Sequence, residues 1–146
     1  MMACGHAAPL PVPPVPPSPK VQLAVIPADS DVFPRAARAV SASLATAKVS
    51  GIDETRVTKV SLEVVQLSVE CVDPTAACYG AIGRSMSANR LLFARIDGGA
   101  HKRQLKITVT LFDVDANAAT QTAAKLFVTE DEAAAGAAAL VAEVTR

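Results

Sequence analysis

Leu105, Ile107, Val109 and Leu111 alternate with Lys106, Thr108 and Thr110, and this two-residue period predicts a strand with one face buried. The apolar run at residues 91–96 predicts its hairpin partner, with the turn at Asp97-Gly98-Gly99. Residues 113–118 read as a second turn, and residues 119–128 as a third antiparallel strand. There Thr122, Ala124, Leu126 and Val128 alternate with Gln121, Ala123, Lys125 and Phe127.

Elsewhere the period lengthens to three or four. Val32, Phe33, Ala36, Ala37, Val40, Leu44 and Ala47 predict a helix capped from among Asp29, Ser30 and Asp31, with Pro34 harmless in its first turn. Thr129 with Glu132 forms a capping box ahead of a stripe of Ala133, Ala137, Leu140, Val141 and Val144, which predicts a last helix. Residues 21–26, stopped by Pro27, read as a buried strand, and residues 55–60, after the Ser50-Gly51 turn, as a short one. Residues 61–71 carry both periods; Ser61 as N-cap and Glu63 in the first turn favour helix. Pro74 and Thr75 start a further helix through Met86, in which Gly80-x-x-Gly83 permits close packing. The fold class is therefore α/β (α+β): one mixed, mostly antiparallel sheet with helices packed on it, in the order β-α-β-α-α-β-β-β-α.

The 146 residues suit one domain. Hydrophobic residues make up 51% of the chain and aromatics 3%, so Val, Leu, Ile and Ala must fill the core. Fourteen basic and fourteen acidic side chains cancel, removing the long-range field that draws a chain to nucleic acid or an anionic membrane surface. No apolar run reaches the length of a bilayer span, so membrane attachment is expected only through a lipid.

The first twenty residues differ from the rest. Pro9, Pro11, Pro13, Pro14, Pro16, Pro17 and Pro19 exclude helix and central strand. As polyproline II, residues 5–20 reach roughly 50 Å. Residues 1–20 are thus expected to be an extended or disordered spacer, and residues 21–146 a single α/β domain. Ahead of the spacer, Ala3-Cys4-Gly5 is similar to a bacterial lipoprotein processing site, which implies a lipid on Cys4. The basic and apolar stretches of a lipoprotein signal do not precede it. Either such a signal lies upstream of Met1 or Cys4 is an ordinary thiol.

Cys71 and Cys78 enclose six residues, a loop short enough to close as a disulfide in an exported chain; two inert buried thiols are the alternative. Cys4, His6 and His101 have no spacing that would complete a zinc site. Asp113-x-Asp115-x-Asn117 opens like a calcium loop, but Ala118 and Ala124 stand where glycine and glutamate are required, so it reads as a hairpin turn. His6 in the spacer and His101 in a turn give no supported Ser or Cys triad. No catalytic residue, metal, cofactor or small-molecule substrate is expected. Arg95, Lys102, Arg103 and Lys106 set positive charge along one hairpin, which reads either as a solvated face or as a charged contact face for phosphate or an acidic partner.

The layout of Cys71-x6-Cys78 ahead of residues 87–93 and then residues 105–115 resembles the small α/β domains of bacterial envelope lipoproteins. Among these are the amino-terminal domain of TolB and domains of flagellar and curli assembly lipoproteins. The resemblance covers about residues 21–145 and implies an opening strand leading into a helix; the propeller that follows in TolB is absent. The expected function is a non-catalytic, membrane-tethered protein–protein interaction module of a secretion, motility or pilus assembly. Its expected place is the periplasmic face of the envelope, lipid-anchored to the outer membrane. Two other expectations stand beside it. One is a soluble cytoplasmic adaptor whose Pro13-x-x-Pro16 arm is the ligand of a partner domain. The other is an enzyme subunit whose catalytic residues lie on another chain.

Overall fold

A computed structural model describes residues 5–15 and 19–146. Cys4, Pro16 and Pro17 lie outside the described residues. Residues 5–15 are exposed and form no regular element.

The elements follow the expected order: β1 (Gln22–Val25), α1 (Pro34–Thr46), β2 (Glu54–Val57), α2 (Leu62–Ser68), α3 (Ala76–Ser85), β3 (Arg90–Gly98), β4 (Leu105–Asp113), β5 (Ala118–Phe127) and α4 (Glu130–Thr145). The strands make one sheet, β2-β1-β3-β4-β5. β1 runs parallel to β2 and β3 over short registers, whereas β3–β4 and β4–β5 are long antiparallel ladders. The sheet is thus mixed and, by length, mostly antiparallel.

The alternation along β3 and β4 splits the core in two. Leu92, Ala94, Leu105, Ile107, Val109 and Leu111 face α1 and α4 together with Leu23 and Val25 of β1. On the opposite face, Ala24, Ile26, Leu91, Phe93 and Phe112 meet Leu62 and Val65 of α2 and Cys78 and Ile82 of α3. A register shift between Leu111 and Phe112 lets β4 end near the α3 side.

Several boundaries differ from the sequence expectation. None of Asp29, Ser30 and Asp31 caps α1. Ser30 Oγ accepts from Phe33 N at 3.0 Å, closing a turn before the helix, and Phe33 is the N-cap. The donor of Arg35 N is instead taken by Glu130 Oε1 at 3.2 Å, from α4. Val32 is exposed rather than part of the buried stripe. β2 ends at Val57 rather than residue 60, because Thr58 Oγ1 turns to bond Val60 O. α2 stops at Ser68, short of Cys71, where Glu70 takes a positive φ of 58°. Asp97 and Gly98 belong to β3, paired with Lys106 and Leu105, so the turn runs over residues 99–104. β5 turns Ala123 and Phe127 toward α4 and leaves Leu126 outside, because Phe127 is register-paired with buried Leu105 and Leu126 with exposed Lys106.

Candidate functional site

The β3–β4 turn is braced from within. Gly99 N donates to Gln104 O at 2.8 Å, Gln104 N to His101 O at 3.0 Å, and His101 N to Gln104 Oε1 at 3.3 Å. A Cβ on Gly99 would stand 2.5 Å from that of Gln104, so the close approach of the two stems requires glycine. The tip points Lys102 and Arg103 into solvent. They line one wall of a shallow depression whose other walls are Val32 and Phe33 before α1 and Thr129, Glu130 and Asp131 at the start of α4.

Arg35 joins the two helix starts. Its Nε donates to Glu130 Oε1 at 3.0 Å and its Nη1 to Asp131 Oδ1. Asp131 first, then Glu130, raises the Arg35 pKa. Glu130 also accepts from Arg35 N, so the protein's own carboxylate occupies the positive end of α1. The depression therefore has a basic wall, an acidic wall and an exposed aliphatic lip at Val32.

The four basic residues expected on one hairpin divide into two groups. Lys102 and Arg103 sit at the tip. Arg95 and Lys106 lie on the flat side of the ladder, where Arg95 opposes Thr108 and Lys106 opposes Asp97. Arg95 Nη2 is 3.8 Å from Asp97 Oδ1. This side is the continuation of the sheet face that α2 and α3 cover farther along.

Cys71 and Cys78 are joined in a disulfide with Cα atoms 5.6 Å apart. It ties the chain just past α2 to the first turns of α3, where Thr75 Oγ1 accepts from Cys78 N at 3.2 Å. Cys78 is buried and Cys71 half-buried.

Asp113, Asp115 and Asn117 occupy the β4–β5 turn. Arg90 Nη1 lies 3.1 Å from Asp113 Oδ1 and 3.6 Å from Asp115 Oδ2, so a guanidinium already supplies the positive charge between those carboxylates. Among the described residues, no group of three or more His, Cys, Asp and Glu is gathered to hold a metal ion. No described helix is long and apolar enough to cross a membrane.

One feature escaped the sequence reading. α2 has apolar residues on both sides: Leu62 and Val65 are buried, but Val64 is 50% exposed and Leu67 69% exposed. The signal was present in the mixed periodicity of residues 61–71, where Val64 and Leu67 stand off the helical face of Leu62 and Val65 and are interspersed with Glu63, Gln66 and Ser68.

No family model matches the chain, and no curated protein matches it. Among solved structures, it is similar to the PelC dodecamer subunit from Paraburkholderia phytofirmans, at 15% identity and a TM-score of 0.46 over 86% of each chain. It is also similar to a lipoprotein from Neisseria meningitidis, at 12% identity and a TM-score of 0.42 over 73% of this chain and 79% of that one. TolB from Acinetobacter baumannii aligns at 12% identity and a TM-score of 0.39, over 83% of this chain and 26% of its own length. The resemblance to envelope-lipoprotein domains drawn from the sequence thus recurs among the structural neighbours, TolB included. With TM-scores below 0.5, the likeness carries no argument about what this chain does.

Proposed function

We propose that the chain is a non-catalytic, lipid-tethered interaction module of a bacterial cell-envelope assembly, of the secretion, motility or pilus type. The observation that carries this reading is the Cys71–Cys78 disulfide, since structural disulfides belong to oxidising compartments. The exposed segment at residues 5–15, rich in proline, supports it as a spacer between Cys4 and the domain. The contact surface we assign is the β3–β4 tip with the depression beside it. There Lys102 and Arg103 face an acidic patch of a partner, and Val32 supplies apolar contact.

Intact mass spectrometry of the chain from its native host tests the reading. The expected species carries acyl groups on Cys4 and lacks the two thiol hydrogens of Cys71 and Cys78. An unmodified, fully reduced chain overturns it and favours the cytoplasmic adaptor. Where the acylated, oxidised species is found, crosslinking at residue 102 is expected to capture an envelope protein through an acidic surface.

A further inference from the structure

The two edges of the sheet differ. β2 is four residues long and carries Glu54 and Arg56, both engaged: Glu54 accepts from Lys20, and Arg56 donates to Met86 O. A short, charged edge of this kind resists the addition of a strand. β5 is ten residues long, with no proline and a single charged residue, Lys125. Among the described residues its backbone makes no backbone hydrogen bond outside the β4 ladder.

Which of its groups stay open follows from the ladders. Val114 N donates to Asn89 O and Gly99 N to Gln104 O. With the β3–β4 register, these bonds put the hydrogen-bonded pairs at odd positions of β3 and even positions of β4. The odd positions of β4 therefore turn to β5, where they bond Gln121, Ala123, Lys125 and Phe127. Thr122, Ala124 and Leu126 are left pointing their N–H and C=O groups outward. Their side chains share the face of the sheet away from α4.

The amino-terminal arm carries the matching pattern. Pro9, Pro11 and Pro13 fall at alternate positions, so in an extended backbone their missing N–H groups all lie on one edge. Ala8, Leu10 and Val12 keep their donors and acceptors on the other. Each of these three precedes a proline, which biases it to the extended conformation. Leu10 and Val12 are 89% and 84% exposed. Among the described residues no backbone hydrogen bond joins residues 5–15 to the domain.

We infer that residues 8–13 of one copy add as an antiparallel edge strand to β5 of a second copy. Val12 then stands opposite Thr122, Leu10 opposite Ala124 and Ala8 opposite Leu126, so three residues with open backbone groups meet three. Leu10 and Val12 join the exposed side chain of Leu126 on one face. Pro14, the first proline on the pairing edge, ends the match. The edge that lacks N–H groups faces solvent, where proline is tolerated and no further strand can follow. The occupant is a second copy because the chain carries both halves and, alone, leaves both open: its arm stands in solvent, clear of its own β5. The inference does not depend on where the chain is held or on a lipid at Cys4.

Sedimentation equilibrium of the full chain provides the test, in a Cys4→Ser background that removes crosslinking through that thiol, with far-UV circular dichroism confirming that each variant folds. The parent chain is expected to self-associate. Leu10→Pro, which deletes a donor on the pairing edge, is expected to weaken association about tenfold or more. Pro11→Ala, which only restores an N–H on the solvent edge, is expected to leave it within about threefold. On the receiving side, Ala124→Pro removes an outward N–H and spares the β4 ladder, so it is expected to weaken association as Leu10→Pro does while the domain stays folded. A parent chain that stays monomeric up to about 100 μM, far above ordinary micromolar self-association, overturns the inference, whether β5 is then bare, covered by its own arm or taken by another protein. So does association indifferent to Leu10→Pro or to Ala124→Pro, or a loss with Pro11→Ala equal to that with Leu10→Pro, the result expected of an arm recognised as a polyproline helix.

Discussion

Gly83 of α3 lies so close to Val114 that a Cβ built on it would stand 2.2 Å from Val114 Cγ2. No side chain fits there without displacing the start of the β4–β5 turn. Gly83→Ala is expected to cost about 1–3 kcal/mol through overpacking, read as a lower urea midpoint. Adding Val114→Ala opens the space, so the double variant is expected to lose less than the sum of the two single losses. Strict additivity would show that the close approach is not what Gly83 provides.

Removing the disulfide by Cys71→Ser with Cys78→Ser is expected to lower stability by about 2–3 kcal/mol, the entropy of closing so short a loop. Urea unfolding of the oxidised wild type against the variant measures it. Hydrogen exchange is expected to rise first in α2, because its C-terminal end is held to α3 by this bond.

The long elements were legible in the sequence, and the reason is periodicity. Leu105, Ile107, Val109 and Leu111 bury one face of β4 without exception, and Thr129 Oγ1 accepts from Glu132 N as a capping box should. The start of α1 was not legible. Its cap depends on Glu130, ninety-five residues away, while Asp29, Ser30 and Asp31 offered a local answer that the chain does not use. β2 exposes all four of its residues, so no alternation marked its end. The orientation of β5 is set by its register with β4, since Ala and Thr on both sides leave its own pattern ambiguous. At the candidate site, sequence proximity grouped Arg95, Lys102, Arg103 and Lys106, and the pleat then separated flank from tip.

Glu130→Ala removes the acceptor of Arg35 N and is expected to cost about 1 kcal/mol, as loss of a helix cap does. Arg35→Ala leaves that backbone bond in place and is expected to cost less, because the Arg35 side chain is largely exposed. Thermal unfolding of the two variants side by side checks the order; the reverse order would assign the effect to the guanidinium.

Lys102→Glu with Arg103→Glu is expected to leave stability unchanged within about 0.5 kcal/mol, because both side chains stand in solvent. The same variant is expected to lose crosslinking at the hairpin tip to an acidic partner. Retained crosslinking with the charges reversed would move the contact surface elsewhere.

β1 comes first in the chain yet lies in the interior of the sheet, between β2 and β3. Its pairing with β3 joins Leu23 to Arg90 and Val25 to Leu92, contacts that close a far longer loop than either C-terminal hairpin does. A chain delivered amino end first therefore holds one side of β1 unpaired until β3 arrives, and β4 and β5 complete the sheet later still. Assembly of the sheet is thus governed by its carboxyl-terminal half, and a chain interrupted before residue 90 presents an open strand edge to whatever surrounds it.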